Sequence, residues 1–302
     1  MIGFSGKKIE IIESLNDDDI KGRSLTANAI ARLMRNKMAV ASLVIVAFII
    51  LAAFIGPYLI PNGYEDPDWN AFRSPPTLEN FHIFGTDQNG RDMLARTLYG
   101  TRVSLTVALV ATLVAVFIGV TYGAIAGYYG GRVDSAMMRF VDVMYALPYV
   151  LFVILLMVIF GRNVILLYVG IGAVEWLTMA RIVRGQTLSL KQREYIEAAK
   201  AAGQKPLTII FKHIVPNLSG PVVIYATLTI PEIIITESFL SYLGFGVQEP
   251  MTSLGTLIAD AGGVMEVMPW LLIFPALFLV PLLLCLGYLG DGLRDALDPR
   301  DH

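Results

Sequence analysis

The 302-residue sequence contains a single cysteine, Cys285, and three histidines, His82, His213 and His302, none at metal-ligand spacing from another. One thiol excludes an intrachain disulfide and a cysteine metal cluster. Charge is scarce: Asp, Glu, Lys and Arg make up 16% of the residues, with a formal net charge of −2. No basic stretch interleaved with aromatics occurs, so nucleic acid is not an expected partner. The nearest approach to a phosphate-binding loop, Gly3-Phe4-Ser5-Gly6-Lys7-Lys8, is too short between its glycines and lacks the hydroxyl after the lysine. Neither G-x-S-x-G nor H-E-x-x-H is found. The chain is expected to be no enzyme, to hold no cofactor or metal, and not to hydrolyse ATP by itself. It also has no solenoid repeat, low-complexity tract or Gly/Ser linker.

What it has in abundance is apolar length. Hydrophobic residues make up 55% of the chain, and mean hydropathy is +0.63, outside the range of soluble globular domains. Six apolar runs, at 38–60, 103–128, 143–160, 163–180, 219–245 and 268–290, are near the ~17–25 residues that cross a hydrocarbon core. The third and fourth are joined only by Gly161-Arg162-Asn163, which predicts a tight turn at one membrane face. The first run starts behind the acidic Asp17-Asp18-Asp19 stretch, too late for a cleavable secretory signal, and reads as an uncleaved anchor. With the N-terminus inside, the inner segments carry 18 Lys and Arg. The outer ones carry 5, namely Arg73, Arg91, Arg96, Arg102 and Arg162. The positive-inside rule therefore predicts an all-α membrane protein with six transmembrane helices and both termini cytoplasmic.

One polar segment interrupts this pattern, REYIEAAKAAGQKPLTIIFKHIVPN at 193–217. Tyr195, Ala198, Ala199 and Ala202 fall at helical spacing, and small side chains allow another surface to come close. Gly203 predicts a helix stop, Pro206 the first residue of a second short helix, Leu207 to His213, and Pro216 its end. An amphipathic connector resting on headgroups has the same composition.

EAAKAAG followed by HIVPN resembles the EAA motif of membrane subunits of bacterial ABC importers. That resemblance implies that Glu197, Ala198, Ala199, Gly203 and Pro216 couple the chain to an ATPase subunit, with Val215 where leucine is more usual. FGTDQNGRDMLARTLYGTRVSL (84–105), ESFLSYLGFGVQEP (237–250), LGDGLRDALDPR (289–300) and the leader stretch RLMRNKMAVASLVIV are similar to the C-type permease subunit of dipeptide and oligopeptide ABC importers, a family that also includes nickel permeases. Gly287-Tyr288 departs from it where relatives often carry asparagine. The resemblance covers nearly the whole chain after about residue 30. It implies a type I ABC importer permease fold, divided into a cytoplasmic leader (1–37), a first helix (38–60), an external loop (61–100), a five-helix core (101–290) with the coupling loop at 181–217, and a cytoplasmic tail (291–302). It further implies a second homologous permease, two ATPase subunits that bind ATP and Mg, an external substrate-binding protein, and residence in the bacterial cytoplasmic membrane.

Other residues have physical readings of their own. Gly119, Gly123 and Gly127 form a four-residue stripe suited to close helix packing in lipid. Glu175, Glu232 and Glu237 fall in or at the ends of spans, where a charge must face a cavity, a partner or the interface. They are candidates for a translocation path or, for Glu237, a packing hydrogen bond. Pro231 is expected to kink the fifth span. The turn 85–92 is expected to present a helix beginning near Asp92, and Arg294 to pair with Asp298 in a tail that braces the coupling loop or touches the ATPase. An ATP-independent secondary transporter, for which the intramembrane glutamates speak, would show two similar half-chains with broken helices, and these are not visible. A membrane scaffold would leave the EAA-like loop unexplained.

Overall fold

The computed structural model describes residues 25–297. The Asp17-Asp18-Asp19 stretch, most of the leader's basic residues and the Arg294–Asp298 pairing lie outside the described residues. An amphipathic helix α1 (Leu25–Arg35) leads into α2 (Lys37–Ile55). The break falls at Asn36, whose Oδ1 accepts the backbone N–H groups of Met38 and Ala39 at 3.1 and 3.2 Å, a polar N-cap ahead of an apolar helix.

After an irregular segment comes α3 (Met93–Tyr129), followed by α4 (Gly131–Ala146), α5 (Tyr149–Phe160) and α6 (Val164–Leu190). Beyond these are α7 (Glu194–Ala201), α8 (Pro206–Ile209), α9 (Val215–Asn217), α10 (Ser219–Tyr242), α11 (Leu254–Ala261) and α12 (Trp270–Leu297). Five of these, α2, α3, α6, α10 and α12, are long and apolar enough to cross a membrane.

The expected third span, 143–160, is not one helix. Leu147 is extended and Pro148 caps α5, so α4 and α5 meet at a 79° bend. Proline lacks the N–H that would continue α4 and forces the residue before it out of helical geometry. At 12 residues, α5 reaches only about 18 Å, short of a ~30 Å hydrocarbon core. The span expected at 103–128 is longer than the apolar run, because α3 begins ten residues earlier and extends to 37 residues.

Helices α3 and α6 form the central pair and run parallel. A Cβ on Gly119 would lie 2.6 Å from Met179 Cβ, one on Gly123 2.4 Å from the Ala180 carbonyl, and one on Gly127 2.7 Å from Thr187 Cβ. The glycine stripe thus packs within the chain, letting the two backbones approach where burial from water cannot drive association. Lys191 Nζ donates to the Gly127 carbonyl at 2.9 Å, fixing the C-terminal ends of α3 and α6 side by side. Because the two helices are parallel, residues 130–163 must return from that end to the other. Helix α4 lies against α6 through Arg184, which donates twice to Asp134 at 2.5 and 2.6 Å, and through Arg181, 2.7 Å from Asp142.

The last helix also differs from expectation. It runs without a break past residue 290 to Leu297, where Gly292 sits against Ala39, Leu33 and Asn36. The described part of the tail therefore packs on α1 and α2, not on the 181–217 loop. Both described chain ends lie at the Lys191 end of the bundle, because α2 is antiparallel to α3, with Gly56 against Leu98.

Candidate functional site

At the Lys191 end, the 193–217 segment folds as a compact hook. Helix α7 closes in a Schellman turn: Gln204 N–H bonds the Ala199 carbonyl at 3.2 Å and Gly203 N–H bonds the Lys200 carbonyl at 2.9 Å. Gly203 has φ +75°, the left-handed conformation that this turn requires. Gln204 Oε1 then accepts from His213 Nε2 at 2.9 Å, tying the turn to the next helical stretch. Ile196 and Ala199 are buried with Ile209, Ile210, Ile214 and Leu218 against Ala124, Met179 and Val183. Lys200 Nζ lies 5.6 Å above the Tyr128 ring. These contacts fix the hook to the ends of both central helices.

Two expectations are corrected here. Ala199 does not share the open face of Tyr195, Ala198 and Ala202; it turns inward with Ile196, three residues before it, on the buried side of the helix. Nor does Pro216 end the second helix. A π-helical turn, Ile210–Ile214, continues straight into α9, and Pro216 sits within it. Proline cannot donate to the Lys212 carbonyl and crowds it, so the turn widens and Val215 N–H bonds Ile210 instead. What remains open on the hook is an apolar ridge of Tyr195, Ala198, Ala202, Leu207 and Phe211, with Glu197 exposed beside it.

The three glutamates separate. Glu237 is fully buried near the Asp92 end and accepts hydrogen bonds from Ser253 (2.6 Å), Ser241 (2.7 Å) and Ser104 (3.3 Å). Ser104 in turn accepts from Leu254 N–H at 3.2 Å, so the carboxylate ties α3, α10 and α11 together. Glu232 is exposed on α10, and Glu175 is half-buried on α6 and within Coulombic range of it. Pro231 lies inside α10, which continues through it.

At the Asp92 end, Asp92 is the N-cap of α3, accepting from Ala95 N–H at 2.8 Å. Thr86 holds the preceding turn: its carbonyl accepts from Trp270 Nε1 at 3.1 Å and its hydroxyl bonds the Ala71 carbonyl. Two residues here are not evident in the sequence, His82 and Arg96, both buried. Their partners come from segments brought together only by folding.

The model of the binding-protein-dependent transport system inner membrane component family matches residues 119–300. That of the N-terminal TM domain of oligopeptide transport permease C matches residues 24–76. The chain is 51% identical over 293 residues to the oligopeptide transport system permease protein OppC of Haemophilus influenzae, covering 97% of this chain and 94% of the relative. It is 51% identical over 300 residues to the Escherichia coli K12 protein of the same description, covering 99% of each. The dipeptide transport system permease protein DppC of Bacillus subtilis is 45% identical over 288 residues, with 94% and 89% covered. Among solved structures, the MetNI methionine ABC transporter in an inward facing conformation superposes with a TM-score of 0.55 at 19% identity, over 68% of this chain and 96% of that one. That last likeness is one of fold.

Proposed function

The chain belongs to the family of binding-protein-dependent transport system inner membrane components and is a transport permease subunit, and on that footing we propose that its cargo is peptide. The observation that carries this reading is the 51% identity, over nearly the full length, to oligopeptide permeases. The α4–α5 pair counts as one bent crossing, which makes six. An even number agrees with both described ends lying at one end of the bundle, and the Lys and Arg distribution supports the bacterial cytoplasm as that side.

In this reading an external binding protein delivers peptide to a path formed between this chain and a second, homologous permease. Glu175 and Glu232 face that path, because a carboxylate at membrane depth is costly against lipid. Two separate ATPase subunits bind ATP and Mg and seat the hook's open ridge, Tyr195, Ala198, Ala202, Leu207 and Phe211, in a groove. Glu197 flanks the ridge, Ala199 anchors it to the α3–α6 pair, Gly203 fixes its turn and Pro216 sets the π turn behind it. Closure of the ATPases then moves α3 and α6 through a stiff connection.

The test is uptake of labelled di-, tri- and oligopeptides, and of nickel, in a strain lacking this chain. Loss of peptide uptake is expected, together with copurification of two ATPases and a second permease. Retained peptide uptake with lost nickel uptake sinks the peptide reading.

A further inference from the structure

A cavity of about 240 Å³ opens at the Asp92 end between the 87–91 turn, the first turns of α3, Glu249 and α11. Its floor is apolar, formed by Met93, Leu257 and Leu271 of a packed cluster. Its wall holds Arg96, only 1% exposed. The carboxylate nearest to it, Asp87, is already taken. Asp87 Oδ1 accepts the N–H groups of Asn89 and Arg91 at 2.8 and 2.9 Å, and Oδ2 accepts Arg91 Nε at 2.7 Å. Arg91 spends a further donor on Glu249 at 3.0 Å. Arg96 Nε is left 3.6 Å from Asp87 with no hydrogen-bond partner, and Nη1 reaches only the Tyr64 carbonyl at 3.5 Å. A buried guanidinium without its own counter-ion is costly and is relieved by a carboxylate that binds its fork. Asp260 stands on the rim, exposed, attracting Arg96 at longer range.

We propose that this pocket seats an Asp or Glu side chain of the external binding protein, whose carboxylate pairs with Arg96 when that protein docks. The proposal rests on the importer reading above, which places this end outside the membrane. The apolar lining by Met93, Leu257 and Leu271 and the small volume, below the ~300 Å³ of sites that enclose whole ligands, suit one anchoring side chain rather than transiting cargo. Asp260 competes with the arriving carboxylate, so the two residues affect docking with opposite signs.

The experiment uses the complete transporter in lipid nanodiscs and measures the affinity of its external binding protein by biolayer interferometry. Arg96→Gln is expected to weaken docking at least about tenfold, as loss of a charge-assisted hydrogen bond does. Asp260→Asn is expected to tighten it several-fold, a gain that misfolding does not produce. Equal affinity of Arg96→Gln and wild type, or weaker docking of Asp260→Asn, overturns the proposal while wild-type docking keeps the importer reading intact. So does Arg96-dependent binding, without the binding protein, of a free-carboxylate tripeptide but not of its C-terminal amide, which identifies the occupant as cargo. Wild-type complex that does not bind the protein at all sinks both readings.

Discussion

The imidazole Nδ1 of His82 lies 2.8 Å from Oδ2 of Asp92, the carboxylate that caps α3. On the other side of the ring, Nε2 is 3.3 Å from Asp68. A neutral imidazole has one N–H, so only the imidazolium donates to both carboxylates. The histidine thereby pins the segment around Asp68 to the start of the longest helix.

This pin is pH-dependent. Burial alone lowers the His82 pKa, but the hydrogen bonds to Asp92 and then Asp68 outweigh it, and the folded value lies above the ordinary 6.5. A raised folded pKa means that the pin contributes fully below about pH 6.5 and is lost as pH rises through the folded value. Protease cleavage within 61–82 should accelerate in wild type on alkalinisation relative to His82→Gln, in which the pH-dependent difference disappears. Parallel profiles for the two would show that the pin does not titrate.

Gly203→Val should abolish peptide uptake while the protein still inserts at normal level. No atom lies within 4 Å of a Cβ built there, so the penalty is in the backbone, about 1–2 kcal/mol for a residue held at φ +75°. Gly203→Asn, which tolerates that conformation, should retain most uptake. Immunoblotting of membranes alongside uptake separates coupling from folding.

Glu237→Leu removes the carboxylate to which Ser253 and Ser241 donate in a buried site, leaving them only each other and Thr256 as partners. A loss of about 3 kcal/mol is expected from removing one member of such a network, with Glu237→Gln milder. Thermal melting of the purified protein in detergent reads the difference, and an unchanged midpoint for Glu237→Leu would contradict it.

Gly123→Leu drives a side chain into the Ala180 carbonyl, 2.4 Å from where its Cβ would stand. Backbone cannot yield as a flexible side chain does, so the α3–α6 pair should separate and membrane-inserted protein should fall several-fold, as for overpacking of a few kcal/mol. Leucine at Gly185, which has nothing within 4 Å, is the control and should accumulate normally.

The spans were legible in the sequence because bilayer thickness imposes a length on apolar runs, and the Gly203 turn because few residues take a positive φ. The glycine stripe gave away a close contact, though not that its partner is α6. The bend at Pro148 was less visible: an apolar run records exclusion from water, which is the same on either side of a proline. Pro216 misled for the opposite reason, since a proline that usually ends a helix is accommodated here by a π turn. The position of Glu237 among three serines, and of Arg96 beside an Asp87 that Arg91 already engages, depends on residues about 150 positions apart in some pairs, which no local pattern encodes.

Helix α3 runs 37 residues from the Arg96 pocket to Tyr128 beneath Lys200, about 55 Å of unbroken α-helix. Such a strut cannot shorten, and its hydrogen-bonded turns do not absorb a push along the axis. Whatever grips one tip must tilt or slide the other, so on the proposed importer reading the docking protein and the ATPases would handle opposite ends of the same lever.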